Sequence, residues 1–252
     1  MSEEKDDRLW EIDFLRAIAV IMMISFHAGF NLYYFGDYGI DIDRTGWWML
    51  GRSTAVIFII LVGVSLTLSY SKTKKEKSRK ELHLKYIFRG AKIFSWGILI
   101  TVVTYVFIGD AFIIFGILHL IGTGIIIAYP LVRYRYIPLI LGFISIIFGL
   151  YISEIYVNFE YLLWIGLRPQ GFTTVDYFPI FPWIGVLLVG IFLGNTLYPD
   201  RERKLKIPEL SDSSMVRKFC FLGRNSLKIY LLHQPILIIS LWILGIIEVP
   251  FL

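Results

Sequence analysis

The chain has 252 residues, of which 56% are hydrophobic, 17% aromatic and only 18% charged, and its mean hydropathy is +0.67; such a composition excludes a soluble domain of this size. A single cysteine, Cys220, excludes a disulfide framework and a cysteine-based zinc site. The net charge of +5 would suggest nucleic acid in a soluble protein, but here the basic residues stand at the ends of apolar stretches, so topology explains them and no nucleic-acid partner is expected.

Uncharged runs between consecutive ionised side chains fall at residues 17–36, 53–71, 93–109, 111–132, 136–153, 177–199 and 229–247. About 20 apolar residues cross a bilayer as a helix, so each run is long enough. The expected fold is all-α, a polytopic transmembrane bundle of about seven spans, with residues 1–252 forming a single domain. An eighth stretch, residues 161–167, is too short to cross and reads as an interfacial or re-entrant piece. The segments 1–16, 72–92, 133–135 and 200–228 hold 22 of the 25 Lys and Arg residues, and the opposite side has only Arg44, Arg52 and Arg168. The positive-inside rule then sets the N-terminus in the cytoplasm and the C-terminus outside, as expected of a multi-pass protein of the cell membrane. The first span is long, carries a His and lacks a small-residue cleavage site, so it reads as a retained helix. No internal repeat is visible, which leaves the inverted halves of many secondary transporters unsupported. Gly190 and Gly194 form a small-xxx-small pair that reads as close helix packing.

Titratable residues within apolar spans are few, and each is costly enough to need a reason. Asp13 and Arg16 are three apart, and His27 lies eleven beyond Arg16. At about 100° per residue, eleven steps return to within roughly 20°, so the three share one stripe of the first helix. His27 then lies on the order of 16 Å from Arg16, near the middle of a bilayer about 30 Å thick. His119 lies nine residues from Asp110 in the fourth run and reaches a similar depth from the other end, so the two imidazoles are placed to meet. For a single intramembrane His, a hydrogen bond between helices is the ordinary reading. Three in one bundle point further, because a neutral imidazole takes and returns a proton at cellular pH, as general-base catalysis demands. His27 is the candidate base. For His119 both readings stay open, and His233, with Asn225, Tyr230 and Gln234 nearby, reads as orientation or packing.

The basic segments 72–92 and 200–228 serve topology and attraction to anionic headgroups. Arg89 and Lys92 open the third span and Arg224 precedes the seventh, so these are the cations best placed to bind phosphates of a polyanionic ligand at a mouth between helices. On the other side, residues 154–178 form a long aromatic connection. Aromatic belts are its default explanation, while Arg168, Asp176, Tyr177 and Arg52 are placed to line a mouth that admits a polar acceptor, together with Asp37, Asp41 and Asp43 of the first outer loop. There is no G-x-S-x-G elbow, phosphate loop, dinucleotide fingerprint or zinc pair of His at helical spacing, which disfavours hydrolase, nucleotidase and metalloprotease chemistry.

The run Asp13-Phe-Leu-Arg16-Ala-Ile-Ala-Val-Ile-Met-Met-Ile-Ser-Phe-His27, then Phe58-Ile-Ile-Leu-Val-Gly-Val-Ser-Leu66, Phe115-Gly-Ile-Leu-His119, Asp176-Tyr-Phe-Pro-Ile-Phe-Pro-Trp183 and Leu222-Gly-Arg-Asn-Ser226 through Tyr230-Leu-Leu-His233, resembles the small prokaryotic membrane proteins related to heparan-alpha-glucosaminide N-acetyltransferase. The likeness covers nearly the whole chain. The Arg with a His eleven later is also similar to the opening helix of membrane O-acyltransferases that modify surface polysaccharides. The resemblance implies acetyl-CoA or another acyl-CoA bound from the cytoplasm, a sugar or amino-sugar acceptor reached from the other side, and no metal. Residues 35–47 hold no His to match the loop histidine proposed for catalysis in the lysosomal relative, so His27 is the candidate from the O-acyltransferase-like spacing. The reading that follows has His27 as base, His119 orienting it or binding the acceptor, and Arg16 with Asp13 organising the inner half of the tunnel. Arg89, Lys92, Arg224, Asn225 and His233 face the acyl-CoA, and Arg52, Asp176, Tyr177 and Trp183 face the acceptor. The partners are the lipid bilayer, acyl-CoA and a glycan or amino sugar, and a homodimer is one assembly the sequence allows. The alternative is a proton-coupled transporter or lipid-handling protein whose histidines relay protons.

Overall fold

The computed structural model describes residues 9–36, 38, 39 and 45–248; Asp37, Asp41 and Asp43 of the expected outer mouth lie outside them. Among the described residues the structure is helical, and its only β feature is an isolated parallel bridge between Tyr156 and Arg168. Eight α-helices follow one another among the described residues: α1 (Trp10–Gly36), α2 (Thr45–Thr73), α3 (Arg79–Ile108), α4 (Ile117–Ala128), α5 (Ile137–Ile152), α6 (Ile180–Leu197), α7 (Ser214–Arg224) and α8 (Ser226–Ile243). Five of them, α1, α2, α3, α6 and α8, are long and apolar enough to cross a membrane, while α4 and α5 are apolar but shorter. Exposed Val106 (68%), Ile147 (66%) and Leu150 (61%) give α3 and α5 outward faces that lipid tolerates and water does not.

Helix boundaries depart from the uncharged runs for identifiable reasons. α3 begins well before residue 93, because Ser78 and Glu81 form a capping box: Glu81 N–H donates to Ser78 Oγ (3.3 Å) and Ser78 N–H donates to Glu81 Oε2 (2.8 Å). Charge ends the apolar run there without ending the helix, so Lys85, Arg89 and Lys92 stand on α3 itself. The run from 111, in contrast, starts before its helix does, since residues 109–111 form a 3-10 turn and α4 opens only at Ile117. Residues 161–166 form turns and not a crossing helix. α7, a basic amphipathic helix inside the segment 200–228, has no counterpart among the expected spans.

Internal contacts divide the chain into two units, residues 1–58 with 207–252 and residues 59–206. In the first, α1 packs against α7 and α8. Phe14 stacks on Phe219 at 5.1 Å, and Gly223 lies so close to the Asp13 carbonyl that no side chain fits there. The first turns of α2 also meet α1, with the Trp47 ring on Gly29 and the Phe26 ring on Gly51.

In the second unit α3 packs on α4, α5 on α6 and α4 on α6. The first two crossings are made at paired glycines, Gly90 with Gly122 and Gly142 with Gly185, each occupying the space that a Cβ on the other would need. The later part of α2 meets α6 in the same way. A Cβ on Gly63 would run into the backbone of Leu187, Gly190 and Ile191, and one on Gly190 into that of Ile60. Without a hydrophobic drive between helices in lipid, such close backbone approach supplies the van der Waals contact that holds them. Gly194, the other member of the small-residue pair, takes the Thr67 side chain.

Candidate active site

Two histidines meet in the first unit. His27, in the second half of α1, and His233, on α8, bring their ring centroids to 4.6 Å at an interplanar angle of 75°. His27 Nδ1 lies 2.9 Å from the Met23 carbonyl and His233 Nδ1 lies 2.6 Å from the Tyr230 carbonyl. A carbonyl oxygen only accepts, so both Nδ1 atoms carry the proton in the neutral rings and both Nε2 atoms keep a lone pair. His233 is buried and its Nε2 has no partner. One turn along α1 from His27, Asn31 is fully buried, and its Nδ2 donates to Gln234 Oε1 at 2.9 Å. Asn31 Oδ1 is a second buried acceptor without a partner.

His119 has the opposite arrangement. In the second unit, the Gly116 N–H donates to His119 Nδ1 at 3.2 Å, and His119 Nε2 faces Thr101 Oγ1 at 3.5 Å, whose hydroxyl donates to the Ile113 carbonyl. Both ring nitrogens are thereby engaged at the start of α4, and the ring is sandwiched against Phe94 and Phe115. Gly116 has no side chain to cap that start, and Asp176 substitutes for one: its Oδ2 accepts from the Ile117 N–H at 3.1 Å. The strap leading to it is fixed by Thr174 Oγ1 donating to the Phe112 carbonyl (2.7 Å) and by the Val175 and Phe178 N–H groups donating to the Ala111 and Phe115 carbonyls. Tyr177 donates its hydroxyl to the Leu163 carbonyl at 2.7 Å, and buried Trp183 packs its ring on Phe178 at 4.9 Å.

Burial pushes the Asp176 carboxyl up to about 7 from 3.8, opposed by the hydrogen bond from Ile117 N–H. A folded-state pKa above the unfolded value means that folding takes up a proton between the two. The contribution is fully present below about pH 4 and is lost as pH rises through about 7. The wild-type protein is therefore expected to melt higher at pH 5.5 than at pH 8. Asp176→Asn, which retains an accepting oxygen, should flatten that difference; an unchanged pH dependence in the variant would refute the assignment.

The cations are distributed over both units. Arg16 pairs with buried Asp13 at 2.6 Å within α1. Arg89 is half-buried and Lys92 exposed on α3. Arg224 ends α7, and Asn225 closes that helix by donating Nδ2 to the Phe221 carbonyl at 2.9 Å. Arg217, Lys218, Phe221 and Arg224 line an open cleft of about 530 Å³ on α7. Arg52 is exposed on α2 with its guanidinium 5.8 Å from the Trp48 ring centre. Among the described residues no cluster of three His, Cys, Asp or Glu side chains is gathered that would hold a metal ion.

The structure thus joins His27 to His233, Asp13 to Arg16, and His119 to Asp176 through the start of α4. The ring partner of His27 within its unit is the His read as packing. Sequence reasoning missed Asn31, although its place four residues after His27 sets it on the same helix face. No curated protein and no solved structure matches the chain. A family model does match, that of the heparan-alpha-glucosaminide N-acetyltransferase catalytic region, and it covers residues 8–235, including both histidines of the pair, Asn31 and the strap that caps α4. The chain therefore belongs to the heparan-alpha-glucosaminide N-acetyltransferase family of membrane acyltransferases.

Proposed function

We propose that the protein moves an acetyl or other acyl group from cytoplasmic acyl-CoA to a sugar or amino-sugar acceptor across or within the membrane, with His27 as general base. Its family supports the reaction class, and the observation that carries the assignment is the His27–His233 pair. Tying each Nδ1–H to a helix carbonyl fixes the tautomer and aims a free Nε2 lone pair, which a base requires. As the acceptor oxygen or nitrogen bonds to the acyl carbon, His27 Nε2 takes its proton and the neighbouring imidazole spreads the charge. His119, with both nitrogens engaged, positions α4 and relays no proton in this scheme. The Asp13–Arg16 pair holds the inner end of α1.

Residues 1–252 act as one domain in seven crossings, N-terminus in the cytoplasm. Five long helices with two shorter ones support that topology, as does the distribution of Lys and Arg. Guanidinium and ammonium groups suit phosphates, so Arg224, with Arg217 and Lys218 beside it, fits the phosphates of CoA, and Arg89 and Lys92 offer a second cationic group on α3. Of the acceptor contacts, Arg52 is the exposed one beside the α1–α2 contact, whereas Asp176, Tyr177 and Trp183 cap and wall the second unit.

The test is melting temperature in detergent with acetyl-CoA, CoA and an adenine nucleotide as control. A ligand at 100 times its Kd stabilises by about 2.7 kcal/mol. A rise specific to CoA species is expected, and Arg217→Gln with Arg224→Gln should weaken it at least tenfold in ligand concentration. No shift at millimolar acetyl-CoA would overturn the donor assignment.

A further inference from the structure

Two buried acceptors on neighbouring helices lack partners, and the acyltransferase reading gives one of them, Asn31 Oδ1, no role. Asn31 is 0% exposed and His233 7%. Asn31 Oδ1 and His233 Nε2 are each without a hydrogen bond, on residues bound to the same short stretch of α1 and α8 through Asn31–Gln234 and His27–His233. A purely structural amide pair would leave no carbonyl oxygen over, since an unmade hydrogen bond in a low-dielectric interior costs more than the pair gains. Buried unsatisfied groups persist where something else fills them. What fills these two must bring hydrogens, because both atoms accept and neither donates.

We propose that Asn31 Oδ1 and His233 Nε2 form a seat for a primary amino group of the acceptor, with Asn31 as a positioning residue. This rests on the acyltransferase reading. Asn31 holds the amine by the hydrogen it keeps, and the imidazole pair receives the hydrogen it loses; a hydroxyl has a single hydrogen and cannot serve both. The acceptor nitrogen forms the new bond to the acyl carbon, the carbon–sulfur bond breaks, and the thiolate leaves. Gln234 fixes Asn31 by accepting from its Nδ2, which turns the oxygen away from its own amide partner.

The test compares wild type with the double variant Asn31→Leu and Gln234→Leu, which removes both amides together, using acetyl-CoA as donor and glucosamine as the probe acceptor. kcat/KM for glucosamine should fall about tenfold or more, mainly through KM, while KM for acetyl-CoA stays as it was. Without ligands the variant should melt higher, because the unpaired oxygen is gone, and the glucosamine-induced shift of wild type should be lost while the acetyl-CoA shift persists. An unchanged glucosamine KM with a higher melting temperature would mean that the two atoms held water, and would overturn the proposal. So would a variant that fails to fold, a retained glucosamine shift, or a wild-type protein that glucosamine does not shift. If neither protein transfers acetyl groups but the glucosamine shift still disappears in the variant, the seat stands and the acyltransferase reading falls.

Discussion

Replacing His27 by Ala is expected to reduce acyl transfer by about 10²- to 10⁴-fold, the usual contribution of a positioned general base, while the protein still inserts and melts within a few degrees of wild type. The modest structural cost follows from the bonding of the ring. Its hydrogen bond is to the Met23 carbonyl of its own helix, and its ring contacts are with Phe26 and His233, so no other helix loses a hydrogen-bond partner when it goes. Loss of the lone pair at Nε2 leaves the acceptor without its base, although His233 retains its own. Single-turnover transfer in nanodiscs with melting measured on the same preparation would separate the two effects. Turnover within tenfold of wild type would remove His27 from the mechanism. Substrate flux in sealed vesicles without acyl-CoA would instead favour a proton relay through the same two rings.

The largest structural effect is expected at Gly190. Gly190→Leu should abolish the folded, monodisperse protein, because its Cβ would meet the carbonyl, carbonyl carbon and Cα of Ile60, which are backbone atoms that have no rotamer to yield. Ile59, Leu187 and Ile191 around the crossing are all 0% exposed, so the helices have no free volume into which to separate locally. Overpacking a core typically costs 1–3 kcal/mol, and a clash with backbone at a helix crossing lies at the upper end or beyond. Size-exclusion chromatography in detergent reads the outcome: a sharp peak with a melting temperature within about 3 °C of wild type would contradict the packing described here. Gly190→Ala should fall between the two.

The apolar content and the clusters of charge made the helices legible before any coordinates. Each of the seven uncharged runs overlaps one of α1 to α6 or α8, although α1, α2, α3 and α8 begin before their runs do. α7 escaped because its mixture of Arg217, Lys218, Met215 and Phe221 looks like a basic loop when charge alone is counted, and only its 3.6-residue periodicity distinguishes it. Residues 111–116 were absorbed into a helix since they are apolar, yet their backbone bonds go to the strap at 174–178. The stripe from Arg16 to His27 was readable from helical arithmetic, but such arithmetic gives depth along one helix and never the identity of the neighbour. It therefore gave His27 and His119 a similar depth but did not name His233 as the ring partner of His27 within its unit. Nor does sequence reveal which ring nitrogen is engaged, and that detail separates the pair with free Nε2 atoms from the histidine that caps α4.

The cap on α4 also bears on the order in which the molecule is assembled. The amide of Ile117 waits for a carboxylate 59 residues further along the chain. On the ribosome, therefore, α4 and the whole of α5 are made before the group that completes the start of α4 exists. Until then the helix, only 12 residues long and opened by a glycine, has His119 as its single local anchor. The start of α4 is therefore completed only once the strap has been made, whereas its crossing with α3 at Gly90 and Gly122 uses residues made before it.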